Sequence, residues 1–362
     1  MTSLKFCRRA AVALASAAIA LTGSLSASFA NDHVKAGVVR SLGGSPSYIG
    51  VDKGFFAAEG IDVEIVFFES APPLALGVAS GDLDFANTGA TAAFFNLAAQ
   101  GTFKFLTSGT WETPGFQSTG FLVSNQAYDA GLHSLKDIAA KNAAITQSGT
   151  PLHYVLGLAA EKYGIDFKNV HVLLLQANPN VASALTSGQA DIGVQTVAPA
   201  YAVIEKGGAR LLGWVGDELG RQQVETLFTS TKTANERGDL VKRYLAGYRK
   251  AMAYYHDAFA DANDKRHDGP NADEVIGILS KYLQQTPDVI KKGVPFIDSQ
   301  GRMVPANFAK LAAWYKEQGH AESRYRREHA DRQTLHTCDA VNRPQNRNNA
   351  WTGRRRAFIL AR

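Results

Sequence analysis

Short apolar runs alternate with amphipathic stretches through the first two-thirds of the chain. Val34 to Val39, Val63 to Phe67, Ala143 to Thr146 and Val170 to Leu175 read as short buried strands. Two of them open onto a loop of small residues with a proline, Gly43-Gly44-Ser45-Pro46 and Ser148-Gly149-Thr150-Pro151. Each loop leads into a helical stretch that stops at Gly-Ile-Asp, at Gly60-Ile61-Asp62 and at Gly164-Ile165-Asp166. Glycine just past a helix end is the expected C-cap, because it takes the left-handed conformation without steric cost. Further on, Leu74 to Ala79 leads into Ser80-Gly81-Asp82-Leu83-Asp84-Phe85-Ala86, and Val181 to Thr186 into Ser187-Gly188-Gln189-Ala190-Asp191-Ile192-Gly193. These matches keep one order and lie about 105 residues apart. One unit of strand, helix, strand, helix, strand therefore occurs twice. Strands alternating with helices predict a parallel sheet covered on both faces, and two such units predict two similar α/β lobes.

Between and after the units, Gly120 to Ser124 and Thr226 to Ser230 read as extended stretches that carry the chain from one lobe to the other and back. Beyond them the period becomes helical. Leu240, Tyr244, Leu245, Tyr248, Met252 and Tyr255 form one apolar stripe, and Val275 to Leu283 and Phe308 to Tyr315 continue the pattern. The expected organisation is a first lobe of residues 31–120 plus 229–322 and a second of 121–228, with the ligand cleft between them. From Ser323 to Arg362 no apolar period remains, which predicts a basic, disordered tail.

The N-terminus changes the picture of where the chain works. Lys5, Arg8 and Arg9 precede the apolar run from Ala10 to Leu21, and Ser28-Phe29-Ala30 places small residues at a cleavage position. Residues 1–30 are thus expected to be a secretory signal peptide, which implies a periplasmic protein. The net charge of +5 follows from the ends: the leader carries +3 and the segment from Ser323 carries +7, leaving −5 for residues 31–322. A mildly acidic body gives no reason to invoke nucleic acid. Of the two cysteines, Cys7 lies in the leader and Cys338 in the tail, so the fold has to be held by its core.

In open α/β sheets ligands bind beyond the carboxyl ends of the strands. That rule selects Ser41 to Tyr48 and Asn87-Thr88-Gly89-Ala90-Thr91 in the first unit. In the second it selects Gln147 to His153 and Gln195-Thr196-Val197-Ala198-Pro199. The candidate ligand residues are Ser45, Pro46, Tyr48, Asn87, Thr88, Gly89, Ser148, Gly149, Thr150, His153, Gln195 and Thr196, with Trp214 as an aromatic just beyond a strand. Pro46 and Pro151 suit the first turn of a helix, which makes Ser45 and Thr150 the expected N-caps. Helix starts from both lobes facing one cleft could hold an oxyanion on backbone N–H groups. Arg40, Trp111 and Tyr201 also lie near these loops. No nucleophile elbow, zinc-protease motif, P-loop or paired-cysteine metal spacing is present, so no catalytic residue, metal or cofactor is expected.

The run Gly50-Val51-Asp52-Lys53-Gly54-Phe55-Phe56-Ala57-Ala58-Glu59-Gly60-Ile61-Asp62-Val63 resembles the signature of the SsuA/THI5-like (NMT1) solute-binding proteins of nitrate-, sulfonate- and taurine-type importers. The resemblance continues at Ser80-Gly81-Asp82-Leu83-Asp84, His133 to Ile138, Ser187 to Asp191 and Asp239 to Leu245, and covers about residues 34 to 319. Where that family commonly has Trp-Pro after the last strand of the second unit, this chain reads Gln195-Thr196-Val197-Ala198-Pro199. The resemblance implies a two-lobed periplasmic-binding fold of type II with two crossover strands. It implies a monomer that captures a small, anionic ligand (a sulfonate, a nitrate-like anion or a carboxylate) and delivers it to a membrane permease and ATPase. The alternatives are an enzyme on the same scaffold, of the pyrimidine-synthase or small-decarboxylase kind, and a ligand sensor for a membrane kinase.

Overall fold

The computed structural model describes residues 31–320. The expected leader of residues 1–30 and the expected tail of 323–362 lie outside the described residues. The first unit runs β1 (Asp32–Val39), α1 (Ser45–Asp52), β2 (Ile61–Phe68), α2 (Pro72–Ser80) and β3 (Phe85–Gly89), followed by α3 (Ala92–Ala99) and β4 (Phe103–Ser108). The chain then passes through β5 (Thr110–Glu112), β6 (Thr119–Val123) and α4 (Asn125–Asp129). The second unit is β7 (Asn142–Ile145), α5 (Pro151–Lys162), β8 (His171–Leu174), α6 (Asn178–Ser187) and β9 (Ile192–Thr196), with α7 (Val197–Glu205), β10 (Arg210–Trp214) and α8 (Val215–Leu219). The return runs through β11 (Gln222–Gln223) and β12 (Glu225–Ser230). The C-terminal part is α9 (Thr231–Glu236), α10 (Gly238–Phe259), α11 (Ala272–Leu283), α12 (Pro287–Lys292), β13 (Phe296–Ile297) and α13 (Pro305–Glu317).

These strands build two five-stranded sheets of the same spatial order, β2-β1-β3-β12-β4 and β8-β7-β9-β6-β10. In each, the three strands of the repeated unit run parallel, and the crossover strand inserts antiparallel beside the third, β12 against β3 and β6 against β9. The duplication read from the sequence is therefore a structural one. The matched glycines agree: Gly60 and Gly164 sit at φ 68° and 67°, and Gly81 and Gly188 at 90° and 73°. All four need the left-handed backbone that ends a helix or turn. Where the two lobes join, β11, β5 and β13 form a small antiparallel sheet of their own.

The first sheet owes much of its core to α10. Every residue of the predicted stripe, from Leu240 to Tyr255, is buried. Tyr244 stacks on Phe85 of β3 at 3.8 Å between ring centres and on Phe56 at 4.8 Å. Removing such a ring from water is worth on the order of 1.5–3 kcal/mol, so this one helix face supplies a large share of the first lobe's stability. No described helix is long and apolar enough to cross a membrane.

The C-terminal helix α13 touches both lobes. Phe308 and Tyr315 pack on Phe95 of α3, while Trp314 lies against His153 and Tyr154 of α5. The indole occupies the space over Gly157, where an added Cβ would stand 2.3 Å from Trp314 Cζ2. Directly beside it the Ala92 N–H donates to the Gly149 carbonyl at 2.9 Å, a backbone bond from one lobe to the other. Gly157→Ala should therefore force α13 away from α5 and cost about 1–3 kcal/mol by overpacking. Urea unfolding followed by tryptophan fluorescence reads the loss, and an unchanged midpoint would show that α13 does not depend on this contact.

Candidate functional site

A cavity of about 550 Å³ lies between the lobes. Its walls are the segments that follow the parallel strands. From the first lobe come Arg40 to Gly43, Glu69 to Pro72, Thr88 and Gly89; from the second, Thr146, Gln147, Thr150 to Leu152, Gln176 to Pro179 and Thr196 to Pro199. Several of these are helix starts. Thr150, Ala177 and Thr196 are the N-caps of α5, α6 and α7, and none of their side chains caps the helix. Pro151 and Pro179 carry no N–H and the Val197 N–H donates to the Ser118 carbonyl at 2.8 Å, so the donors and partial positive charge at these helix starts come from the rest of their first turns.

The structure divides the predicted residues. Thr88, Gly89, Thr150 and Thr196 line the cavity. Ser45 does not: it is the first residue of α1, capped by Gly44, and its hydroxyl donates to the Leu42 carbonyl at 2.6 Å. Pro46 is buried in the same turn. Tyr48 lies wholly behind the wall, its hydroxyl donating to the Val39 and Ser41 carbonyls, and so braces the loop whose other side meets the cavity. Thr150 is an N-cap as expected, but its hydroxyl donates to Gln147 O instead of accepting from the helix. Asn87 is buried beneath the floor and donates to the Gly43 carbonyl at 2.7 Å.

The other candidates also stand off the cavity. Ser148 and Gly149 lie outside its lining, and Gly149 is spent on the bond to Ala92. His153 packs among Phe167, Trp314 and His320, with Nδ1 accepting from the Gly149 N–H at 3.2 Å. Burial, with a smaller effect from His320, lowers its pKa to about 4, so the ring is neutral. Gln195 is fully buried and donates to Asn178 O at 2.9 Å, which ties β9 to the start of α6. Trp214 covers Gly120 and contacts Tyr201 inside the second lobe. Arg40 reaches the rim, yet its guanidinium donates to Tyr282 O at 2.8 Å and lies 3.8 Å over the Phe67 ring.

Among the wall residues that the sequence reading missed are two carboxylates. Glu112 ends β5 and Glu225 begins β12, so both stand at the junction of the lobes. Glu112 accepts from the Thr119 N–H at 3.3 Å. Burial raises its pKa to about 7 against the hydrogen bonds from Thr119 and Ser118, and the nearby Glu225 pushes it further up. Glu225 is raised by burial as well. Among the described residues no group of three or more His, Cys, Asp or Glu side chains could hold a metal ion.

A family model described as NMT1/THI5 like matches residues 44–259. A Bacillus subtilis (strain 168) protein named for binding aliphatic sulfonates is 26% identical over 268 residues, 72% of this chain and 77% of that protein. Among solved structures, the periplasmic aliphatic sulphonate binding protein SsuA from Escherichia coli superposes with a TM-score of 0.66 at 16% identity, covering 91% of this chain and 97% of that one. The periplasmic nitrate-binding protein NrtA from Synechocystis PCC 6803 gives 0.64 at 13% identity, over 84% and 85%. The last two establish the periplasmic-binding fold.

A carboxyl group neutral in the folded state up to about pH 7, but ionised near 4.5 when unfolded, favours folding below pH 4.5. That contribution is lost as pH rises through 7. Glu112→Gln removes the titration. The variant should match the parent near pH 4.5 and exceed it by about 3 kcal/mol at pH 8. Urea unfolding at both pH values measures the gap, and a gap that does not grow with pH would show the carboxylate to be solvated.

Proposed function

This chain belongs to the NMT1/THI5-like family, and on that premise we propose that it is the exported solute-binding subunit of an ABC importer. Its lobes close on a small molecule, and the closed form delivers it to a membrane permease and its ATPase. The ligand carries an oxyanion, such as a sulfonate or carboxylate, held mainly by backbone N–H groups. The observation that carries this reading is the cavity between the lobes, walled by helix starts from both of them. The first turns after Thr150, Ala177 and Thr196 supply partial positive charge, and donors apart from Pro151, Pro179 and the Val197 N–H that Ser118 takes up, without a lysine. The names of the relatives, which bind sulfonates and nitrate, support the same class of ligand and a periplasmic site of action.

A ligand that binds only the folded protein stabilises it by about 2.7 kcal/mol at a hundred times its Kd. A panel of small sulfonates, carboxylates and inorganic anions should therefore contain members that raise the melting temperature, and mass spectrometry should recover them unchanged. Turnover of the ligand would point to an enzyme instead. Thr196 is exposed, lines the cavity and caps nothing with its side chain. Thr196→Trp should accordingly abolish the ligand-induced shift while leaving the unliganded melting temperature nearly unchanged. A retained shift would place the ligand elsewhere.

A further inference from the structure

The floor of the cleft holds two carboxylates whose hydrogen-bond donors are all uncharged. Glu112 is 1% exposed; it accepts from the Thr119 N–H at 3.3 Å and from the Thr119 and Ser118 hydroxyls. Glu225 is met by the Asn87 side-chain amide and the Thr110 N–H, both at 3.5 Å, the outer limit of a hydrogen bond, and by the Thr110 hydroxyl. Among the described residues neither carboxylate has a Lys, Arg or His partner. Asn87, only 3% exposed, adds a third acceptor, for its Oδ1 has no hydrogen-bond partner. It belongs to the same cluster: a Cβ placed on Gly109 would stand 2.6 Å from Glu225 Cβ and 2.7 Å from Asn87 Oδ1.

The charge on the wall points the same way. Arg40, Glu69, Glu112 and Glu225 are the charged residues that line the cavity, three acids against one base. The one base is already engaged with Tyr282 and Phe67. Enclosed carboxylates without a cationic partner are costly, and a positively charged donor is what would offset that cost. An ammonium brings three N–H donors and an amidinium or guanidinium a planar set, each with the charge that water lacks. The pair also lies at the junction of the lobes, Glu112 on β5 and Glu225 at the start of β12, where both lobes can enclose the same group.

We propose that Glu112 and Glu225 form a subsite for a cationic nitrogen group, so that the ligand is a small zwitterion with its oxyanion at the helix starts and an ammonium, amidinium or guanidinium at the hinge floor. This rests on the receptor reading above and narrows it.

The test uses the purified full chain and matched pairs of probes: ethanesulfonate against 2-aminoethanesulfonate, propanoate against 3-aminopropanoate, and butanoate against 4-guanidinobutanoate. Thermal shift and calorimetry compare the members of each pair. In at least one pair the nitrogen-bearing member should bind tenfold or more tightly. Glu112→Gln and Glu225→Gln should each erase that advantage while raising the melting temperature of the unliganded protein. A merely structural carboxylate would lower it. The comparison on the unsubstituted protein stands even if a variant does not fold. Plain acids that bind as tightly as their nitrogen-bearing analogues overturn this inference and leave the receptor reading intact. Stabilisation by Ca²⁺ or Zn²⁺ alone, reversed by EDTA, also overturns it. A panel in which nothing binds overturns both readings.

Discussion

Each sheet of this protein is completed by a strand that belongs to the chain's passage between lobes. β12 inserts between β3 and β4, and β6 between β9 and β10, both antiparallel to the repeated units beside them. β4 has no other partner in its sheet, and β10 is joined only through β6. Neither sheet can close until the chain has crossed. The hinge is thereby anchored in two hydrophobic cores, with Phe121 and Val123 on one side and Leu227 and Phe228 on the other, all buried. Rotation between the lobes is left to the short segments next to these strands, around the small sheet of β11, β5 and β13.

The same antiparallel insertion decides what lies at the bottom of the cleft. Parallel strands end at the ligand side, so a strand running the other way begins there. Glu225, the first residue of β12, pairs with Gly89 at the end of β3, and Thr119, the first of β6, pairs with Thr196 at the end of β9. The crossovers therefore contribute their opening residues, Glu225 and Thr119, to the cavity, and Glu112 of β5 accepts from Thr119 beside them. Keeping Glu112 and Glu225 enclosed works against folding at neutral pH, since burial opposes their charge. Stability given up at a cleft is a common signature of a group kept for binding.

How much of this the sequence disclosed follows from which signals are local. The repeated unit was legible because helix stops at Gly60 and Gly164 and turns at Gly81 and Gly188 impose a backbone geometry that few residues tolerate. The stripe on α10 was legible because burial of one face has a fixed period. At the site, the strand-end rule located the right loops but could not say which side chain in a loop faces the cavity. Ser45 and Tyr48 turn inward to satisfy the carbonyls of Leu42, Val39 and Ser41. His153 and Trp214 are claimed by aromatic packing that depends on distant residues, Trp314 and Tyr201. Glu112 and Glu225 were missed for a different reason. They lie on β5 and at the start of β12, outside the repeated unit, and nothing in their neighbourhood along the chain marks them as cavity residues.

The two kinds of contact in the cleft do different work on the proposed reading. A ligand drives closure only to the extent that it binds the closed form more tightly than the open one. Donors at the starts of α5, α6 and α7 belong to the second lobe, while Thr88, Gly89 and the Ser41–Gly43 turn belong to the first. A molecule reaches both sets at once only when the lobes meet, so these contacts set the closing equilibrium. Glu112 and Glu225 lie at the pivot and move little relative to each other as the lobes rotate. Their contribution is nearly the same in both forms, so it sets which chemistry is admitted and not whether the cleft shuts. Such a division lets one hinge be reused with different ligands: the backbone donors of the helix starts come with the fold, and the side chains at the pivot choose among the molecules that can use them.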